Sequence, residues 1–120
     1  MVANTGQTGP DDLWLEKLKE KVLDPELPIV DSHHHLWRRK DYTYLLPEFA
    51  DDMSCGHKIV ASVFAECHSM YRKDGPEELR SLGETEFVRG QAAMSASGGF
   101  GLARACDLSL IHISEPTRPY

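Results

Sequence analysis

The residues best suited to chemistry in this sequence are three consecutive histidines, His33 to His35, which follow a short apolar run. If a strand continues through them, alternate side chains share a face, so His33 and His35 lie together and His34 points the opposite way. Neutral imidazole is a good zinc ligand, and Asp31 on the same face is either a further ligand or an acceptor that fixes a tautomer. The spacing therefore predicts a divalent metal site, although satisfied core histidines, surface histidines or a partial tag would give the same pattern.

A second group of polar side chains comes at the end of the next apolar run. Glu66 could hold a substrate hydroxyl, while His68 or Arg72 could meet a carboxylate or lactone oxygen. The alternative is that Glu66 pairs with a structural base and that the other two side chains line an exposed loop. Cys67 is expected to be a small packed residue rather than a nucleophile, because no base lies at a suitable local spacing.

Aromatic and acidic residues flank these two groups. Trp37, Tyr42 and Tyr44 follow the histidines closely and form either the wall of a substrate pocket or the anchors of a loop. Glu84 and Glu86 fall in the first turn of a predicted helix, where carboxylates complement the helix dipole.

Two strands are expected to position these groups. Leu27 to Asp31 is a short apolar run after a proline, and Lys58 to Glu66 is β-branched and nearly continuous in apolar character, as buried parallel strands are. The other expected elements are a helix from residue 11 to about 24 with the apolar stripe Leu13, Trp14, Leu18 and Val22, a loop over 36–52 with a helical turn near 48–53, and helices over 76–82 and 84–96. This order predicts an α/β protein with a parallel sheet, and two such strands are typical of the opening of a larger domain.

Composition narrows the class of partner. A chain of 120 residues is one domain or part of one, and its net charge of -6 disfavours nucleic acid and anionic lipid. Because no apolar run approaches the roughly 20 residues of a membrane span and the first ten residues lack a signal pattern, a cytoplasmic protein is predicted. Three cysteines at unrelated spacings favour free thiols over a disulfide framework or a four-thiolate zinc site.

The sequence resembles the amidohydrolase-related family of metal-dependent hydrolases, within the amidohydrolase superfamily. Its first-strand Asp-x-His-x-His pattern is matched by residues 31–35, and the resemblance continues in order through 44–49, 57–71 and 75–98. The family includes sugar lactonases, pyrone-dicarboxylate lactonase-like enzymes and decarboxylases. The resemblance implies a (β/α)8 TIM barrel, of which residues 11–106 would be the N-terminal portion, truncated after about two of the eight strands.

The resemblance also implies roles for individual residues. His33 and His35 take the first-strand metal positions, with zinc as the first candidate, although some lactonase-type relatives work without a metal. Its other implied site residues, which would contact a small lactone, amide or carboxylated substrate, are Trp37, Glu66, His68 and Arg72. The family's water-activating aspartate lies on a later strand and no residue here matches it, so the catalytic residue is unknown and the 120-residue chain is expected to be inactive alone.

The two ends of the chain fall outside the resemblance. Residues 1–10 are expected to be a flexible lead-in. Residues 107–120 look like translated adapter or vector sequence, and the alternative is that Leu108 to Ile113 is a short edge strand.

Two other functions fit the same residues. The first is a small non-catalytic zinc-binding or interaction protein with a self-contained site made from His33, His35, His57, Cys67 and His68. The second is a decarboxylase of the same superfamily, because a histidine pair does not separate it from a hydrolase.

Overall fold

The computed structural model describes residues 12–110, in which a small parallel sheet is packed against helices. In chain order the elements are α1 (Asp12–Leu15), β1 (Pro28–His34), β2 (Trp37–Arg39), β3 (Tyr42–Tyr44), α2 (Leu46–Met53), β4 (Lys58–Ala65), a 3-10 turn (Glu77–Leu79), α3 (Leu82–Ala96) and β5 (Arg104–Leu110). The predicted α/β class is therefore confirmed, without a closed barrel among the residues described.

Three parallel strands in the order β1, β4, β5 form the main sheet. β4 lies in the centre because it is the most continuously apolar segment, and its Lys58 start was predicted. The expectation of about two strands is wrong, since Arg104–Leu110 adds a third. β5 crosses residue 106, where the family-like part of the chain was expected to end and the tail to begin. Leu108 to Leu110 lie in this strand, which is at the edge of the sheet, as the alternative for the tail predicted. The rest of that predicted strand, from Ile111, lies outside the described residues.

The register of the sheet is irregular at the end of β1. Asp31 pairs with Ser62 and His34 pairs with Phe64, so β1 uses three residues where β4 uses two. This difference is a β-bulge, which bends a strand and re-aims its side chains. β1 therefore extends three residues beyond the predicted Asp31 end, and the histidines lie in or directly after the strand.

One face of the sheet is covered by helices and holds the core. Ser62 and Phe64 alternate with less buried neighbours along β4, as period-two patterning requires. The buried apolar cluster on this side consists of Leu36, Leu46, Phe49, Met53, Phe64, Val88, Ala105 and Cys106. α2 contributes to it through Leu46, Phe49 and Met53, of which Leu46 is fully buried, and α3 contributes through Val88.

The opposite face of the sheet remains partly exposed. Ala61, Val63 and Ala65 on β4 are half-buried, and Leu108 and Leu110 pair with the last two of them. Paired residues on neighbouring strands point to the same face, and the two leucines are 67% and 65% exposed. This surface is called the open face below.

The predicted N-terminal helix is largely wrong. α1 ends at Leu15, and three residues of the stripe expected to pack are exposed, with Leu13 at 72%, Trp14 at 65% and Leu18 at 74%, while Val22 is half-buried. An amphipathic helix gains most of its stability from burying its apolar side, and these three side chains stay largely exposed among the described residues. The expected helical start at residue 11 lies outside the described residues, as do residues 1–10.

The expected loop over 36–52 contains regular structure. β2 and β3 form an antiparallel hairpin in which Trp37 pairs with Tyr44, and α2 begins at Leu46 rather than near Glu48. The carboxylate of Glu48 caps α2 by accepting the N–H of Leu45 at 2.9 Å. Nowhere in the described part of the chain is a helix both long and apolar enough to span a bilayer.

Candidate metal and substrate site

The two histidines predicted to share a face are close together. The Nε2 atoms of His33 and His35 are 3.2 Å apart, and their rings meet edge to face with centroids 4.9 Å apart. Two nitrogens that bind one tetrahedral zinc at 2.0–2.1 Å would be about 3.3–3.4 Å apart. The pair therefore has the separation of two ligands on one ion.

The tautomer of His35 is set by the neighbouring strand. Its Nδ1 lies 2.8 Å from the carbonyl oxygen of Ala65, and because a carbonyl only accepts, Nδ1 carries the proton. In the neutral ring the Nε2 lone pair then faces His33, whose Nε2–H donates to it. A metal ion would take the place of that shared proton, with the carbonyl acting as the outer partner that metal-bound histidines commonly have.

Asp31 is half-buried and contacts the chain near this pair. Its Oδ1 accepts the backbone N–H of His33 at 3.1 Å, so the carboxylate holds the main chain of the bulge rather than an imidazole. The sequence offered two roles for Asp31, metal ligand or tautomer-fixing acceptor, and in this arrangement its carboxylate accepts a backbone N–H rather than an imidazole N–H.

His34 points to the helix-covered face, as predicted. Its ring stacks on Phe49 with centroids 4.1 Å apart, and its Nε2 lies 3.0 Å from the Ser62 hydroxyl. Ser62 Oγ accepts the N–H of Cys106, which leaves its proton for the histidine. Burial is the main cause that lowers the pKa of His34 from 6.5 to about 4, so this imidazole is neutral at pH 7.

Trp37 extends the stack of side chains that begins at the histidine pair. Its ring lies nearly parallel to His35 with centroids 5.3 Å apart, and the guanidinium of Arg39 lies 4.5 Å from the indole centroid. The indole is half-buried, and its Nε1–H is enclosed without a hydrogen-bond partner. Trp37 thus supports His35 directly, and its choice between pocket wall and loop anchor stays open.

The other two predicted aromatics pack against the hairpin and α2. Tyr42 and Tyr44 stack on each other, and the Tyr44 hydroxyl donates to the carboxylate of Asp52. Burial and this carboxylate raise the pKa of Tyr44. The arrangement favours the anchoring role that the sequence left open for these two tyrosines.

The segment after β4 carries the remaining predicted residues. Glu66 is half-buried and continues the sheet, since its N–H donates to Leu110 at 3.0 Å. His68 is exposed, adopts the left-handed region with φ 60°, and its ring lies 5.2 Å from that of Tyr71. Both residues lie beyond the carboxyl end of β4, where parallel α/β sheets bind ligands.

Arg72 is engaged by an acidic residue of α3. Its guanidinium forms an exposed ion pair with Glu86, which raises the pKa of Arg72 and lowers that of Glu86. Glu86 therefore has a specific partner in addition to its place near the helix N-terminus. A substrate carboxylate would meet Arg72 through the guanidinium N–H groups that Glu86 does not occupy, or in exchange for Glu86.

The sequence did not identify the role of Glu84. Its side chain is fully buried, and Oε1 accepts the N–H groups of Cys67 at 2.8 Å and Ser69 at 3.1 Å. The expectation that Glu84 simply complements the helix dipole is corrected by these contacts. A glutamate in the first turn of a helix carries no local signal for such a role, because its partners lie more than a dozen residues away.

The residues of the alternative zinc site are not brought together. His57 is exposed and precedes β4, at the opposite end of the sheet from the histidine pair. Cys67 is half-buried, and burial together with the Glu84 carboxylate raises its pKa to about 11, which opposes reactivity as a nucleophile. Within residues 12–110, no cluster of three or more histidine, cysteine, aspartate or glutamate side chains is suited to holding a metal.

Comparison with known proteins gives no relative. No family model, no curated protein and no solved structure matches this chain.

Proposed function

We propose that residues 11–106 form the N-terminal portion of a metal-dependent hydrolase of the amidohydrolase-related type, with His33 and His35 as metal ligands. The main support is the 3.2 Å separation of their Nε2 atoms, which fits two ligands on one tetrahedral ion. The Ala65 carbonyl supports the same assignment, since it leaves the His35 lone pair directed at the shared position.

In the proposed site, the metal ion and the protein side chains have different tasks. A zinc ion held by the pair would polarise a substrate carbonyl and make a water molecule more acidic. His68 and Arg72 beyond β4 would bind the oxygen atoms of a small lactone, amide or carboxylated substrate. Trp37 would fix the orientation of His35 by stacking on its ring. Among the described residues, the carboxylate of Asp31 accepts the backbone N–H of His33 and no third ligating side chain joins the pair, so the proposal places the proton acceptor on a part of the fold not contributed by residues 12–110.

A metal titration tests the proposed ligands. Co²⁺ binding to the 120-residue chain is followed by visible absorbance and Zn²⁺ binding by calorimetry, with His33→Ala and His35→Ala as the test variants. His57→Ala is the matched control, because it removes an exposed histidine at the other end of the sheet. Either test variant should weaken binding at least ten-fold, while the control should leave it unchanged.

The same titration separates the competing functions. If His57→Ala and Cys67→Ser weaken binding as much as His33→Ala, and the chain folds only with zinc, the self-contained zinc protein is favoured instead. If the unaltered chain binds neither ion, the metal site is rejected. To separate the hydrolase from the decarboxylase hypothesis, the source DNA is first resequenced through the codons for Cys106 and Asp107 and onward. The protein that this DNA encodes is then assayed for lactone hydrolysis and for release of carbon dioxide.

A further inference from the structure

Glu84 lies behind the loop that follows β4 and makes two hydrogen bonds to its backbone. Oε1 accepts the N–H groups of Cys67 and Ser69, and the whole side chain is excluded from solvent. Its second oxygen, Oε2, is enclosed without a partner. A buried carboxylate is costly unless its hydrogen bonds are valuable, so this placement indicates a specific task for Glu84.

The loop held by Glu84 has a backbone that requires external support. His68 and Met70 both adopt left-handed conformations, with φ 60° and 58°. Such conformations are disfavoured for residues other than glycine and persist where the surroundings impose them. The neighbouring Gly83 lets α3 approach closely, since a Cβ there would lie 2.3 Å from the carbonyl oxygen of Met70.

The same loop connects to the histidine pair through two short contacts. The Cys67 thiol lies 3.6 Å from the carbonyl oxygen of Leu36, the residue after His35. Two residues earlier, the Ala65 carbonyl accepts the Nδ1 proton of His35. A restraint on the backbone at Cys67 therefore lies close to the carbonyl that holds the His35 ring and to the main chain that follows His35.

We propose that Glu84 is a positioning residue for the candidate metal site, which it serves by fixing the chain from Ala65 to Ser69 and hence the orientation of His35. This inference rests on the proposed function where it concerns the metal. The contribution of Glu84 is geometric, because its carboxylate touches backbone N–H groups rather than the imidazoles.

The test compares Glu84→Ala with the conservative variant Glu84→Gln. Glutamine can still accept both N–H groups through its amide oxygen, whereas alanine cannot. Glu78→Ala is the control, since it removes an exposed glutamate from the turn just before α3. The readouts are hydrogen exchange at the amides of Cys67 and Ser69, the His35 tautomer from ring-nitrogen NMR shifts, and Zn²⁺ affinity.

Glu84→Ala should speed exchange at both amides at least ten-fold, give a mixture of His35 tautomers and weaken Zn²⁺ binding at least ten-fold. Glu84→Gln should restore all three properties to within about two-fold of the unaltered chain, and Glu78→Ala should change none. If Glu84→Ala leaves the amides and the tautomer unchanged, or if glutamine fails to restore them, the proposal is overturned.

Two further results distinguish a failure of the role proposed for Glu84 from a failure of the proposed metal site. If the unaltered chain binds no Zn²⁺ but Glu84→Ala still alters the tautomer, Glu84 positions His35 and only the metal site fails. If Glu84→Ala does not fold, the folded Glu84→Asp chain decides, because its shorter side chain withdraws the carboxylate from the loop. Exchange at the amides of Cys67 and Ser69 should then be at least three-fold faster than in Glu84→Gln, and equal rates overturn the proposal.

Discussion

His33 and His34 are neighbours in the chain, yet the two faces of the sheet give them opposite properties. His34 lies on the helix-covered face, where it stacks on Phe49 and is held neutral by burial. His33 lies on the open face, where it is exposed and its Nε2 contacts the ring of His35. Two consecutive residues of the chain therefore differ completely in role, one a core side chain and the other a candidate ligand. The number of histidines in a run does not give the number of metal ligands, because only those on one face can share an ion.

The largest expected difference between the two faces concerns packing. Phe64→Ala should cost about 3–5 kcal/mol of folding free energy, because the fully buried ring leaves a cavity. Val63→Ala on the open face should cost about 1 kcal/mol, since its side chain is only half-buried. Urea unfolding measures both, and equal costs would mean that the open face is packed as tightly as the covered one.

A smaller difference should appear as pH dependence. The pKa of His34 is about 4 in the folded chain and about 6.5 when unfolded, so below pH 6.5 the unfolded state binds the extra proton first. Its stabilising contribution is complete above pH 6.5 and falls by about 3 kcal/mol as pH drops towards 4. His34→Gln should remove this part of the acid sensitivity and His33→Gln should keep it, as unfolding measured at several pH values would reveal. The same slope in both variants would contradict the assignment.

The smallest expected effect is that of His33 on stability. His33→Ala should change the free energy of unfolding by no more than about 0.5 kcal/mol without metal, because the side chain is exposed and away from the core. The same substitution should abolish any stabilisation that added Zn²⁺ gives the unaltered chain. Thermal unfolding with and without zinc provides the measurement, and a large loss of stability in chelator would assign His33 to the core.

The elements predicted well from sequence are those whose signal is local and strong. β4 was identified from Lys58 onwards because β-branched residues follow one another almost without interruption. The opposed directions of His33 and His34 also followed from strand geometry alone. The end of β1 was missed because histidines carry little strand preference, and only pairing with β4 extends the strand through them.

Features that depend on distant partners could not be predicted in this way. The stripe of Leu13, Trp14 and Leu18 has helical spacing, but helical spacing alone does not bury a side chain, and these three stay largely exposed. The hairpin of β2 and β3 is too short for periodicity to register, although aromatic residues at Trp37 and Tyr44 on either side of a two-residue turn were a usable signal. Glu84 was interpreted through its own helix, whereas its partners are backbone groups of another segment.

The strand pairings also determine the order in which the site can be assembled. The hairpin joins residues close in sequence, such as Arg39 and Tyr42, and hairpins of this kind form in roughly 1–10 μs. The parallel pairs, such as Pro28 with Lys58, must first close long loops, which makes them slow to form. Because the carbonyl that orients His35 belongs to Ala65, the histidine pair acquires its geometry only after β4 has docked, as a late product of folding.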